Sequence, residues 1–158
     1  MNNTDKLSDY VTYGEAIRSD NAKRLKIDNT PRPEQLEKMK LVAENVFDKI
    51  REHFGTPIGI SSFFRSEKLN AKTPGSSNTS DHTVGRAIDM DADIFGGITN
   101  KQIFDYVRAN LPFKQLIWEY GTDANPDWVH VSYDPANNKK EVLRVRRVKG
   151  KPVYEHVK

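Results

Sequence analysis

One stretch, "NTPRPEQLEKMKLVAENVFDKIREHFG" (residues 29–55), narrows the possible folds more than any other in the chain. Leu36, Met39, Ala43, Val46, Phe47, Ile50 and Phe54 recur at helical spacing. Pro31 and Pro33 suit a first turn, where no N–H donor is needed, and Gly55 can end the helix. An apolar stripe of this length must lie on a broad apolar surface, and a sheet is expected to supply it. With 158 residues and 36% hydrophobic content, the chain suffices for one real core and is short for two. Residues 1–158 are therefore expected to form a single domain.

Two more helix starts carry the pattern in which Thr and Glu or Gln satisfy each other's backbone donors: Thr12 with Glu15, and Thr99 with Gln102. The second helix is expected to stop before Pro112. "TPIGISSFF" reads as a strand ending near Arg65, and residues 66–81, "SEKLNAKTPGSSNTSD", as a long ordered or functional loop rather than an interdomain linker. "RAIDM", "QLIWE", "WVHVSY" and "EVLRVRRV" read as further strands. Helices early and strands late predict an α+β fold, an antiparallel sheet packed against the N-terminal helices.

The chain has no cysteine, so disulfides, zinc–thiolate sites and cysteine nucleophiles are excluded, and any metal must rest on His, Asp or Glu. No basic stretch followed by an apolar run opens the sequence, and nothing approaches a membrane-spanning length. A chain made in the cytoplasm without a signal peptide, with no stable membrane anchor, is expected; a monomer is the default. The net charge is +3, with the excess in a basic C-terminal strand or tail at about 139–158. That segment either favours an anionic polymer or is a solvated strand face. It contains no nucleic-acid-binding motif, and nucleic acid is not an expected partner.

Of the four histidines, His53 sits near a helix end and His156 in the tail, and neither needs a metal. His82 and His130 each lie beside carboxylates. In "DHTVGRAIDM", Gly85 permits a tight turn that can return the chain so that His82 meets the strand carrying Asp89. In "DWVHVSY", alternation puts Trp128, His130 and Ser132 on one strand face and Val129 and Val131 on the other. A catalytic zinc takes three such ligands and keeps a fourth position open, which favours zinc over other metals here.

"SDHTVGRAID" resembles the S-x-H-x-x-G-x-A-x-D motif, and "DWVHVS" the acidic-x-x-His motif, of the zinc D-alanyl-D-alanine carboxypeptidase-like peptidoglycan peptidases. These are metallopeptidases related to the hedgehog fold. "ISSFFRSEKLN" and residues 11–55 are similar to the small, phage endolysin-like branch, so the likeness spans most of residues 10–135. The resemblance implies His82, Asp89 and His130 as ligands of Zn2+, and Asp127 as the general base. It implies that Arg65 polarises the scissile carbonyl and that Ser80 lies near the substrate. Asp91 competes with Asp89 by strand parity, and Glu119 competes with Asp127 as base or supports the site. Relatives carry Gly-Tyr where this chain has Phe63 and Phe64; Phe63 is expected in the core and Phe64 in the substrate groove. The implied activity is hydrolysis of peptidoglycan stem peptides, by an endolysin-like endopeptidase acting at the cell wall after phage-type release. The alternatives are a D-Ala-D-Ala carboxypeptidase and a non-catalytic wall-binding module of the same fold.

Overall fold

The computed structural model describes residues 1–77 and 79–158. Six strands form one sheet: β1 (Gly59–Ser62), β2 (Ala87–Asp91), β3 (Gln115–Glu119), β4 (Trp128–Ser132), β5 (Glu141–Val148) and β6 (Lys151–His156). Their order is β1-β2-β4-β3-β5-β6. The helices are α1 (Tyr13–Ile17), α2 (Asp20–Leu25), α3 (Pro33–Val42), α4 (Asp48–Phe54), α5 (Glu67–Ala71) and α6 (Asn100–Asn110). The fold is α+β.

The long amphipathic segment is helical from Pro33 to Phe54, with a π turn at Ala43–Phe47 between α3 and α4. Pro33 is its first helical residue, and Pro31 lies before it. Gly55 closes it in the left-handed conformation, with φ 64°. Met39, Val42, Val46, Phe47 and Ile50 pack on the sheet face formed by Ile88, Met90, Leu116, Trp118, Val129 and Val131. α6 adds Ile103, Phe104 and Val107 to the same core. Both Thr caps form as read, Thr12 with Glu15 and Thr99 with Gln102.

Three expectations need correction. The sheet is mixed, because β3 and β5 pair in parallel while every other pairing is antiparallel. β3 and β5 both run opposite to β4, and the chain leaving β4 crosses to the far side of β3; two strands of like direction then become neighbours. The 66–81 stretch holds a helix, α5, capped by Ser66, whose Oγ accepts from the Leu69 N–H at 3.2 Å. Its Asn78 lies outside the described residues. The basic C-terminus is a β-hairpin: Lys149 and Gly150 both have positive φ, 53° and 77°, the geometry of a tight two-residue turn.

The face of the sheet opposite the helices carries a small apolar cluster, Ile117, Leu143 and Val145, with Tyr120 against it. Every residue named below as a candidate metal ligand from a strand belongs to this second face.

Candidate metal centre and cleft

His82 is held by the turn that carries it. Ser80 caps the 3-10 turn Asp81–Val84, its hydroxyl accepting from the His82 N–H at 3.2 Å. Gly85 ends that turn with φ 83°, and a Cβ there would stand 2.5 Å from the Gln35 carbonyl oxygen. Only glycine allows the turn to press this closely against α3. His82 is 2% exposed, and its Nδ1 lies 2.7 Å from the Phe63 carbonyl oxygen. A carbonyl can only accept, so Nδ1 carries the proton and Nε2 presents a lone pair.

Asp89 and His130 face each other across adjacent strands, in register between β2 and β4. Their side chains meet at 2.9 Å, His130 Nδ1 to Asp89 Oδ1, while the other oxygen, Oδ2, lies 3.2 Å from His82 Nε2. Burial raises the Asp89 pKa, but the two imidazoles outweigh it and hold the carboxylate well below its usual range. Burial likewise disfavours a charged His82, and its pKa falls. For His130, burial pulls downward too, but the hydrogen bond to Asp89 wins and the pKa rises.

The contact between His82 and Asp89 is not a hydrogen bond. Nε2 is buried without a hydrogen-bond partner among the described residues: with the proton on Nδ1, a lone pair and a carboxylate oxygen face each other. Two acceptors that close repel unless a cation, a proton or a metal ion, lies between them. One ligand atom from each of His82, Asp89 and His130 lies within 4.8 Å of the others. Ligands about 2.1 Å from a tetrahedral ion stand about 3.4 Å apart, so the three residues fit a zinc-sized ion.

The triad opens into a cleft of about 550 Å³. Glu119, at the end of β3, lines it and is 8% exposed. Burial raises its pKa to about 7, opposed by His130 and Arg65. Arg65 also lines the cleft, with Nη2 donating to Ser80 Oγ at 3.4 Å and its buried Nε without a partner among the described residues. A family model described as Peptidase M15 matches residues 9–132. The chain belongs to the peptidase M15 family. The matched segment contains His82, Asp89, His130, Glu119 and Arg65, so the whole cluster lies within the M15 portion of the chain. Members of the family are zinc peptidases. No curated protein matches the chain.

This M15 peptidase places the two candidate bases differently from expectation. Asp127 is exposed and does not line the cleft, whereas Glu119 is buried in its wall. Asp127 lies in the bend before β4, outside the strand whose alternation aims His130 at the cleft. Asp127 instead gives its backbone to structure, its N–H donating to the Glu119 carbonyl at 2.9 Å. Phe64 is also corrected. At 2% exposure it belongs to the core with Phe63, because its N–H and carbonyl are tied to Ala16 and Asn29. Asp91 stays outside the triad, its Oδ1 accepting from the Asn100 side chain at 3.0 Å. Asp81 pairs with Lys114 at the cleft mouth, at 3.0 Å.

Three buried amides missed in the sequence hold the pieces of the M15 site. Asn29 donates to the Ile17 and Phe64 carbonyls and accepts from the Ser66 N–H, clamping both sides of Arg65. Gln35 donates to the Thr83 carbonyl, tying α3 to the His82 turn. Asn100, fully buried, donates to the Asp127 and Pro126 carbonyls and accepts from Ala92 N–H, joining the ends of β2 and β4. Such amides leave no periodic signal, since polar residues on a helix read as solvent-facing; only a capping partner, as for Gln35 with Arg32 N–H, could have drawn notice.

Proposed function

We propose that residues 1–158 act as one zinc-dependent peptidase domain that hydrolyses the stem peptides of bacterial peptidoglycan, as an endolysin-like endopeptidase. The observation that carries this reading is the buried Nε2 of His82, without a hydrogen-bond partner among the described residues, directed at the Asp89 carboxylate beside His130, in a chain of the M15 family. His82, Asp89 and His130 would hold the ion. Zinc bound there supplies Lewis acidity, lowering the pKa of a water and polarising a carbonyl.

The remaining work falls to the chain's own residues. Glu119 takes the proton of the attacking water on its carboxylate and returns it to the leaving amine; a carboxyl titrating near 7 suits both transfers. Arg65, charged despite its burial, donates to the carbonyl oxygen as negative charge develops there. Ser80 orients the Arg65 guanidinium through their hydrogen bond. Asp127 has no part in proton transfer in this scheme. No helix among the described residues is long and apolar enough to cross a membrane.

Metal analysis combined with digestion of purified cell walls tests the reading. Stoichiometric zinc, chelator-sensitive release of amino groups and inactivity of His82→Ala are the expected results. A wild-type protein that binds no zinc, or a His82→Ala variant that digests walls as well as wild type, would overturn it. Mass spectrometry of the fragments identifies the bond; release of free D-alanine alone would make the enzyme a carboxypeptidase.

A further inference from the structure

The cleft has a wall that the matched family region does not contain. The family match ends at residue 132, whereas Leu143, Arg147 and Tyr154 of the C-terminal hairpin, and Lys139 just before it, line the cleft. Register explains how they reach it. Glu119 aligns with Val145 and Val145 with Tyr154, so these three side chains share the face that carries the triad. Arg147 follows two residues after Val145 on the same face, diagonal to Tyr154.

The basic residues of this hairpin divide between its two faces. Arg144 and Arg146 turn to the helix side of the sheet, where Asp123 and Glu155 neutralise them at 2.7 and 2.8 Å. On the cleft side, Lys114 is paired with Asp81 and Lys139 lies 3.8 Å from Glu141. Arg147 has no carboxylate partner among the described residues. Its guanidinium instead sits 4.6 Å over the ring of Tyr120, another cleft residue, whose own ring lies 5.5 Å from Trp128. Stacking holds the planar fork in one orientation while its N–H donors remain available.

We propose that Arg147, steadied by Tyr120 in the cleft wall it shares with Tyr154, recognises a carboxylate on the substrate. The ligand class is a peptide bearing a free carboxylate near the bond to be cut. A guanidinium meets a carboxylate in two parallel hydrogen bonds, which a carboxamide cannot reproduce, so the wall selects charge rather than size. The arrangement leaves the chemistry to the triad side of the cleft and makes Arg147 a specificity residue. This inference rests on the stem-peptide reading above.

Equilibrium binding is the test, using the full chain and two probes: a stem tetrapeptide with a free side-chain carboxylate and its carboxamide twin. Titration calorimetry of the metal-free protein should show the wild type preferring the carboxylate roughly tenfold. Arg147→Ala should bind the two peptides alike, and Arg147→Lys should keep part of the preference through charge alone. Arg147 is exposed, and an unchanged melting temperature for each variant confirms that only recognition was altered. The same preference in wild type and Arg147→Ala would overturn the assignment. If zinc-loaded wild type cuts both peptides equally well and binds them equally, this inference alone fails. If it neither binds nor cuts either one, the stem-peptide reading falls with it.

Discussion

Glu119 is a carboxyl group on the last residue of β3, buried in the cleft wall with a pKa raised to about 7. As a proton acceptor it must be ionised, so activity is expected to fall as pH drops through the range at and below 7. Glu119→Gln should retain zinc and lose roughly three orders of magnitude in kcat, while Asp127→Asn stays within a few-fold of wild type. Steady-state rates with metal content measured on the same samples separate the two. The reverse pattern would return the base to Asp127. Linkage gives a second prediction. A carboxyl whose pKa is raised in the folded state adds stability that is fully present below its unfolded value, near 4.5, and is lost as pH rises through 7. Metal-free Glu119→Gln should therefore gain on wild type between pH 5 and 8, by roughly 2–3 kcal/mol. Urea unfolding at both pH values measures it.

The elements around the site depend on a few non-periodic residues. Gly85 combines φ 83° with a backbone oxygen of α3 where a Cβ would sit. Gly85→Ala must either move the turn from α3 or strain it, and a loss of about 2 kcal/mol is expected, with weaker zinc binding as His82 shifts. Thermal unfolding and zinc titration read the two effects. Asn100 provides the link between α6 and the strand ends that carry Asp91 and Trp128. Asn100→Leu keeps its bulk but strands the Pro126 and Asp127 carbonyls, and should cost about 2–4 kcal/mol. A variant as stable as wild type would show that water replaces the amide there.

For the whole molecule, a ligand that binds only the folded chain raises its stability in proportion to the logarithm of its concentration. Zinc at 100 times its dissociation constant should add about 2.7 kcal/mol, visible as a rise in melting temperature that chelation reverses. His130→Ala should abolish the shift. Protons compete for the same atoms, because His130 shares its Nδ1 with Asp89 and is more readily protonated than a free imidazole. Zinc affinity is therefore expected to decline as pH falls, even where a free histidine would already be neutral. Calorimetric titrations at pH 6 and 8 should show it; equal affinities would mean that His130 is not a ligand.

The amphipathic helix, both Thr caps, the central strands and the proximity of His82, Asp89 and His130 were legible from residue order. Each rests on a local repeat, on a short-range hydrogen bond or on paired motifs whose spacing resembles a known family. The general base was not legible in the same way: the sequence motif pointed to Asp127, which the fold leaves exposed in the bend before β4. What residue order left open was non-local. The parallel pairing of β3 with β5, the inward turn of Phe64, the buried amides and the hairpin wall all depend on which distant segments become neighbours. So does the environment of Glu119: a carboxylate is ordinary in the sequence and acquires its raised pKa only when burial between β4 and β5 outweighs the pull of His130 and Arg65. Residue order carried the candidate ligand types and the turn and strands that hold them; tertiary packing set the dielectric and the walls around them, because burial and strand adjacency are properties of the assembled sheet.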